Sequence, residues 1–236
     1  MGLRRPLHPR VVHRGEAPAE HVGVLVPWAN TAVETELPLW GRGQIVWHYA
    51  RLVPPGGGTA LTDDFLSGLV TAMPGALHQL SVLPLARAYL ACTSAAFTQQ
   101  QAVKEAAASA AVPVVTAFDA IQDALARLGA RSIVLATPYP SRITAIEAEA
   151  FEGAGFTVTA TASLDLADGY ARVTSGQLGE LLFGSSRRDL AQAEAIVLSC
   201  TGWPTHTALG RLRHRLGCPL ISSNLAICMH ALRTPP

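Results

Sequence analysis

Residues 90–97, LACTSAAF, and residues 198–205, LSCTGWPT, decide the reading of this chain. Each ends an apolar, strand-like run on cysteine, then threonine, then a small residue. ARAYLA (86–91) leads into Cys92, and AIVLS (195–199) leads into Cys200. One reactive side chain at two matched strand ends implies two halves built on one pattern, with the thiols brought to one place.

Working outward, short apolar runs alternate with longer helical patterns. HVGVLVP (21–27), QIVWHYARL (44–52), ARAYLA (86–91) and VPVVTA (112–117) read as strands, followed by RSIVLAT (131–137), FTVTATAS (156–163), AEAIVLS (193–199) and CPLISS (218–223). Asn30 or Thr31 can cap the helix after the first strand, and Glu34 and Glu36 suit its dipole. Further helices are expected over 61–83 with a break near Pro74, and over 96–109, 118–129, 139–155, 174–186, 205–217 and 224–233. Buried strands alternating with helices predict an α/β fold with a parallel sheet covered on both faces. Open parallel sheets hold ligands outside the carboxyl ends of their strands. If two such sheets face each other, Cys92 and Cys200 meet across one cleft. The expected divisions are a flexible tail over 1–20, a first half over 21–117 plus 218–236, and a second half over 118–217.

The composition narrows the function. With 236 residues, 49% hydrophobic and 15% charged, the chain can bury a substantial core. A net charge of +1 gives no reason to expect nucleic acid. No apolar run has the length of a membrane span. The basic first segment has no apolar signal region, so the expectation is a cytoplasmic protein with reduced thiols. The four cysteines, Cys92, Cys200, Cys218 and Cys228, include no Cys-x-x-Cys pair, which argues against a disulfide scaffold or structural zinc. Cys218 and Cys228 read as core packing. Lys104, the only lysine, sits in an Ala-rich, exposed-looking helix, which argues against Schiff-base chemistry and a phosphate loop. PPGGGT (54–59) reads as a mobile loop. His48 reads as a strand histidine, and His206 and His214 as solvated. No histidine–carboxylate cluster has metal spacing, so no metal is expected.

Three motifs carry a family resemblance. VGVLVPWANTAVETELP (22–38) resembles the opening of maleate cis-trans isomerases. ACTSAAF and LSCTGWPT resemble the paired cysteine loops of the aspartate/glutamate racemase superfamily. LATPYPSRITAIEAEAFEGAGF (135–156) is similar to the tyrosine segment of maleate isomerases and arylmalonate decarboxylases. The resemblance implies two Rossmann-like halves related by a pseudo-two-fold axis, an active site in the cleft between them, no cofactor, and a homodimer. It implies Cys92 and Cys200 as the reactive pair, and Asn30 and Tyr139 as substrate-carboxylate contacts. The arylmalonate decarboxylases carry glycine where this chain has Cys92. Conversely, SLDLADGYARV (163–173) lacks the asparagine of maleate isomerases, and its ARV ending is closer to the decarboxylases.

A thiol can serve as acid, base or nucleophile because its ordinary pKa lies near 8.5. A strand-to-helix turn aims backbone N–H groups at the sulfur, which favours thiolate and a bound carboxylate alike. Thr93, Ser94, Thr201 and Gly202 are the expected loop donors. Trp28 and Trp203 are expected beside the cleft, narrowing it. No cationic clamp for a dianion is visible, which leaves neutral donors to that task. The first reading is cis-trans isomerisation of maleate or a related enedioate: Cys92 adds to the double bond, Cys200 gives the proton, and the bond rotates before elimination. Racemisation of an aspartate- or glutamate-type amino acid, decarboxylation of an arylmalonate-type acid with Cys200 as proton donor, and a non-catalytic carboxylate-binding protein are the alternatives.

Overall fold

The run EHVGVLVP buries Val22 to Val26 without a break, as a strand covered on both faces must. It forms β1 (Glu20–Pro27) in a computed structural model that describes residues 19–41, 43–108, 110–184 and 192–232. The first sheet adds β2 (Ile45–Leu52), β3 (Arg87–Leu90) and β4 (Val114–Thr116). The second holds β5 (Ser132–Thr137), β6 (Thr157–Ser163), β7 (Ala195–Leu198) and β8 (Leu220–Ser222). Their orders are β2-β1-β3-β4 and β6-β5-β7-β8, and the strand pairs are parallel. The second sheet repeats the first strand for strand, the α/β architecture expected from the alternation.

Helices α1 (Ala32–Gly41), α2 (Asp63–Leu80), α3 (Thr93–Thr98), α4 (Gln100–Ala108) and α5 (Ala117–Leu128) connect and follow the first four strands. Helices α6 (Ser141–Gly153), α7 (Ser175–Gly184), α8 (His206–Leu212) and α9 (Ser223–Ala231) belong to the later part of the chain. A capping box between Thr116 and Asp119 starts α5, and Gly129, at φ +69°, ends it in the left-handed conformation that glycine tolerates.

Three expectations need correction. Helix α2 runs through Pro74 without a break. Its buried stripe of Leu66, Leu69, Val70, Met73, Ala76 and Leu80 is worth more than the roughly 3 kcal/mol an interior proline costs. The helix after Cys92 begins at once, with α3 opening on Thr93 rather than near residue 96. The return to the first half after Gly217 is also too early. Strand β8 completes the second sheet, with Ile196 opposite Leu220 and Leu198 opposite Ser222, and α9 reaches back to pack on α1 and α5. Of the expected tail over 1–20, residues 1–18 lie outside the described residues, and Glu20 already opens β1.

Two of the contacts that join the halves are buried side-chain clusters. One is apolar: Phe97, Phe118, Phe151 and Phe156 follow one another at ring-centroid separations of 6.0, 4.7 and 6.0 Å. The other is polar: Glu36 on α1 is 2% exposed. It accepts hydrogen bonds from the Thr205 N–H and hydroxyl, the His206 N–H and the Asn224 side chain. The glutamate expected to serve its own helix dipole instead gathers the open N–H groups at the start of α8. Glu36→Gln turns an acceptor into a donor facing these donors, and should lower unfolding free energy by roughly 2–4 kcal/mol in a denaturant titration. A loss below about 0.5 kcal/mol would show that the junction is not a strong constraint.

Candidate active site

In each sheet the chain order reverses beside the first strand, between β1 and β3 and between β5 and β7. Ligand crevices of open parallel sheets form outside the carboxyl ends at such points. Asn30 follows β1, Cys92 follows β3, Tyr139 follows β5 and Cys200 follows β7. The four switch-point strands therefore deliver the four expected principal residues to one cavity of about 210 Å³. Thr93, Ser94, Thr201 and Gly202 line it as well. All eight expected site residues are thus brought together.

Their roles within the cavity differ. Asn30 caps α1: its Oδ1 accepts the Ala32 N–H at 3.0 Å and the Val33 N–H at 3.3 Å. Its Nδ2 donates to Thr201 Oγ1 at 3.0 Å. The Thr201 hydroxyl donates in turn to the Ala91 carbonyl at 2.6 Å, so its proton is committed to joining the two sheets. Asn224 ties the same loop from behind, donating to the Thr201 carbonyl at 3.1 Å. Thr93 Oγ1 lies 3.2 Å from the Tyr139 hydroxyl. Tyr139 is 2% exposed and meets the Tyr170 ring edge-on at 5.6 Å.

Cys92 stands at the cap position of α3 in extended conformation, with Sγ 3.5 Å from Ser94 Oγ. Cys200 sits at φ +152°, an unusual conformation for a residue with a Cβ. Ser223 Oγ accepts its N–H, and the Gly202 N–H donates to its sulfur at 3.2 Å. The turn was expected to favour thiolate, but burial prevails. Burial pushes Cys92 above the ordinary thiol value, against bonding from Ser94 and Ala95. Burial likewise pushes Cys200 up to about 12, although bonding from Tyr139 and the Gly202 N–H favours its thiolate. Charge on Cys92 would raise Cys200 further. Tyr139 is held well above the ordinary phenol range, chiefly by burial and then by charge on Cys200.

Several cavity residues were missed from the sequence. Leu61 and Phe65 follow the PPGGGT loop, while Asp168, Tyr170 and Arg172 follow β6. These two loops hold equivalent places in the two halves and meet over the cysteines, the Leu61 N–H donating to the Ala167 carbonyl at 3.0 Å. Arg172 supplies a cation where none was expected. The signal was the GYARV run, legible only as a family likeness. The two tryptophans are placed differently from expectation. Trp203 is fully buried, Trp28 donates to the Gly58 carbonyl at 2.9 Å, and neither lines the cavity. Cys228 is buried and Cys218 partly so, His48 pairs with His21 at 2.8 Å, and His206 and His214 are exposed. Among the described residues no group of three or more His, Cys, Asp or Glu side chains could hold a metal, and no helix is long and apolar enough to cross a membrane.

Behind Cys200 lies Glu147, fully buried on α6 and hydrogen-bonded by the Ser199 hydroxyl. Its other oxygen has no hydrogen-bond partner among the described residues. Burial pushes it from 4.5 up to about 8, against the Ser199 bond. Its charge would raise both Cys200 and Tyr139. A protonated Glu147 removes that penalty.

Two parallel four-stranded sheets sharing a buried thiol pair define a class of α/β proteins with a site at the junction of their halves. The profile of the arylmalonate decarboxylase family matches residues 89–235, and the chain belongs to that family. Maleate isomerase of Geobacillus stearothermophilus is 26% identical over 223 residues, covering 86% of each chain. The Alcaligenes faecalis maleate isomerase is 24% identical over 225 residues, covering 86% of this chain and 85% of its own. Among solved structures, a cysteine-to-serine variant of Nocardia farcinica maleate cis-trans isomerase with a covalently bound succinylcysteine intermediate superposes with a TM-score of 0.81. It is 19% identical and covers 92% of this chain and 94% of its own. An arylmalonate decarboxylase structure gives 0.70 at 24% identity, covering 90% and 91%.

Two predictions follow from the burial of these groups. Alkylation of Cys92 and Cys200 by iodoacetamide, resolved by mass spectrometry, should still be accelerating above about pH 9 in the free protein. A plateau near neutrality would overturn the burial argument. Glu147 binds its proton more tightly folded than unfolded, so its contribution to stability is full below about 4.5 and is lost as pH rises toward about 8. Glu147→Gln should remove a few kcal/mol of that decline between about pH 5 and pH 8, measured as the difference between variant and wild-type unfolding curves. Parallel curves would place the Glu147 proton elsewhere.

Proposed function

We propose that this protein catalyses cis-trans isomerisation of maleate or a related enedioate without a cofactor. The observation that carries the reading is the pair of buried thiols at equivalent strand ends facing one small cavity. The relatives that are maleate isomerases, and the cysteine adduct in the Nocardia protein, support it.

The chemistry divides between the thiols. Cys92 passes its proton to a substrate carboxylate oxygen and adds through sulfur to one alkene carbon. The C–S bond forms as the C=C π bond breaks, and the electron pair goes to the neighbouring carbon beside its carboxylate. Cys200, pushed up to about 12, holds its proton at neutral pH and delivers it to that carbon. The former double bond turns as a single bond. The Cys200 thiolate then takes its proton back, the C–S bond breaks, the carboxylate-held proton returns to the Cys92 sulfur, and the trans acid leaves. Thr93, Ser94, Tyr139 and Asn30 are the neutral groups available to carboxylate oxygens.

Decarboxylation of a substituted malonate is the second reading. It is favoured by the family match and by the apolar cavity wall of Leu61, Phe65 and Tyr170. It needs Cys200 as proton donor and no nucleophile at Cys92. Proton NMR of maleate in buffered D₂O separates the two. Fumarate should appear with wild type and fall at least about 10³-fold in rate with Cys92→Ser. Absence of fumarate, with carbon dioxide released from phenylmalonate by wild type and by Cys92→Ser alike, would replace the isomerase with the decarboxylase.

A further inference from the structure

We infer that Arg172, seated against Gly169, binds the second carboxylate of a dicarboxylate substrate; the inference rests on the enedioate reading above. Neutral groups surround the thiols, and several are already engaged. The Thr201 proton is held by Ala91, Asn30 Nδ2 donates to Thr201, and Thr93 and Tyr139 bond each other. That end of the cavity can take one carboxylate. It offers no countercharge for a second.

The loop after β6 does. Arg172 is the one lysine, arginine or histidine among the described residues lining the cavity. Its guanidinium occupies the space beside Gly169 that a side chain would fill: a Cβ on Gly169 would lie 2.5 Å from Arg172 Nη2 and 3.1 Å from Cζ. Gly169 also takes φ +75°, which a residue with a Cβ adopts at a cost. The glycine therefore satisfies two conditions at once, the turn and the seat. Among the described residues no side chain forms a hydrogen bond or ion pair with the Arg172 guanidinium. Its acidic neighbour in the cavity lining, Asp168, accepts the Thr59 hydroxyl at 3.3 Å instead. An arginine fork free of partners matches a carboxylate with two parallel bonds.

Size and polarity agree with this assignment. A volume of about 210 Å³ is below the range of drug-sized sites and suits a small acid whose two ends both touch walls. Leu61, Phe65 and Tyr170, each partly buried, lie on the cavity wall, and Arg172 itself is exposed at the edge of the cavity. The first three leave room for a small apolar substituent on the carbon chain.

Calorimetric titration with succinate and with butyrate tests the clamp without any reaction, since both acids are saturated. Wild type should bind succinate more tightly than butyrate by roughly ten- to a hundred-fold. Arg172→Gln should lose that advantage and leave butyrate unchanged. Arg172→Lys should keep part of it. Gly169→Ala, which displaces the guanidinium without removing it, should weaken succinate in the same direction. Circular dichroism checks that each variant is folded. Succinate binding unchanged in Arg172→Gln, or both acids weakened equally, overturns the inference. Maleate conversion by the same wild-type sample judges the isomerase reading separately. Succinate selectivity that depends on Arg172, without fumarate formation, would support the clamp and reject the reaction.

Discussion

The hydroxyl of Thr201 is the point at which the two sheets are fastened. It gives its proton to the carbonyl of Ala91, the residue before one cysteine, while belonging to the residue after the other. Asn30, from the end of a third strand, donates to the same oxygen. One small group thus sets the spacing of three strand ends, and both thiols are covalent neighbours of its bonds. Asn224 continues the lattice, donating to the Thr201 carbonyl and to Glu36, which in turn holds the start of α8. Buried polar groups joined in this way favour one arrangement, because slippage leaves donors without partners, although Asn224 Oδ1 has no partner among the described residues.

That fastening has a chemical consequence. A site tied so tightly around two cysteines excludes water from them, and exclusion disfavours charge on sulfur. The donors at the two turns favour thiolate, but they offset only part of the burial. A free protein with protonated thiols is suited to a reaction in which the nucleophile forms only when substrate arrives. The same burial disfavours oxidation, whose rate follows thiolate character and exposure.

How much of this was legible in the sequence depended on the distance over which each signal acts. The alternation of apolar runs and helices is local, so the architecture and the strand ends could be read directly. The matched cysteines followed because both lie on such ends. Asn30 was legible twice, as a cap and by likeness, and it fills the capping place while its amide reaches the other half. Arg172 and Glu147 were not visible, because their meaning comes from partners far along the chain: Arg172 from a wall shared with Leu61 and Phe65, Glu147 from Ser199. Trp203 misled because adjacency to Cys200 in sequence says nothing about direction. The backbone turns at Cys200, and the indole goes into the core. Pro74 misled because a local cost was set against no knowledge of what α2 buries.

Duplicated topology usually produces equivalent halves, yet in the proposed reaction two thiols that share one substrate need different tasks. The differences sit in residues that the repeat does not fix. Cys92 has the hydroxyl of Ser94 and the N–H groups of Ser94 and Ala95 beside its sulfur, whereas Cys200 has the N–H of Gly202 and the hydroxyl of Tyr139. Each half also buries a glutamate on the helix after its first strand, Glu36 on α1 and Glu147 on α6. Glu36 meets four donors and serves as a fixed structural acceptor. Among the described residues Glu147 meets one, keeps an oxygen without a partner and has its acidity shifted toward neutrality. Only the second cysteine therefore has a titrating acid close behind it. A change of partner count at one buried carboxyl, without any change of fold, is enough to make two geometrically matched thiols chemically unlike.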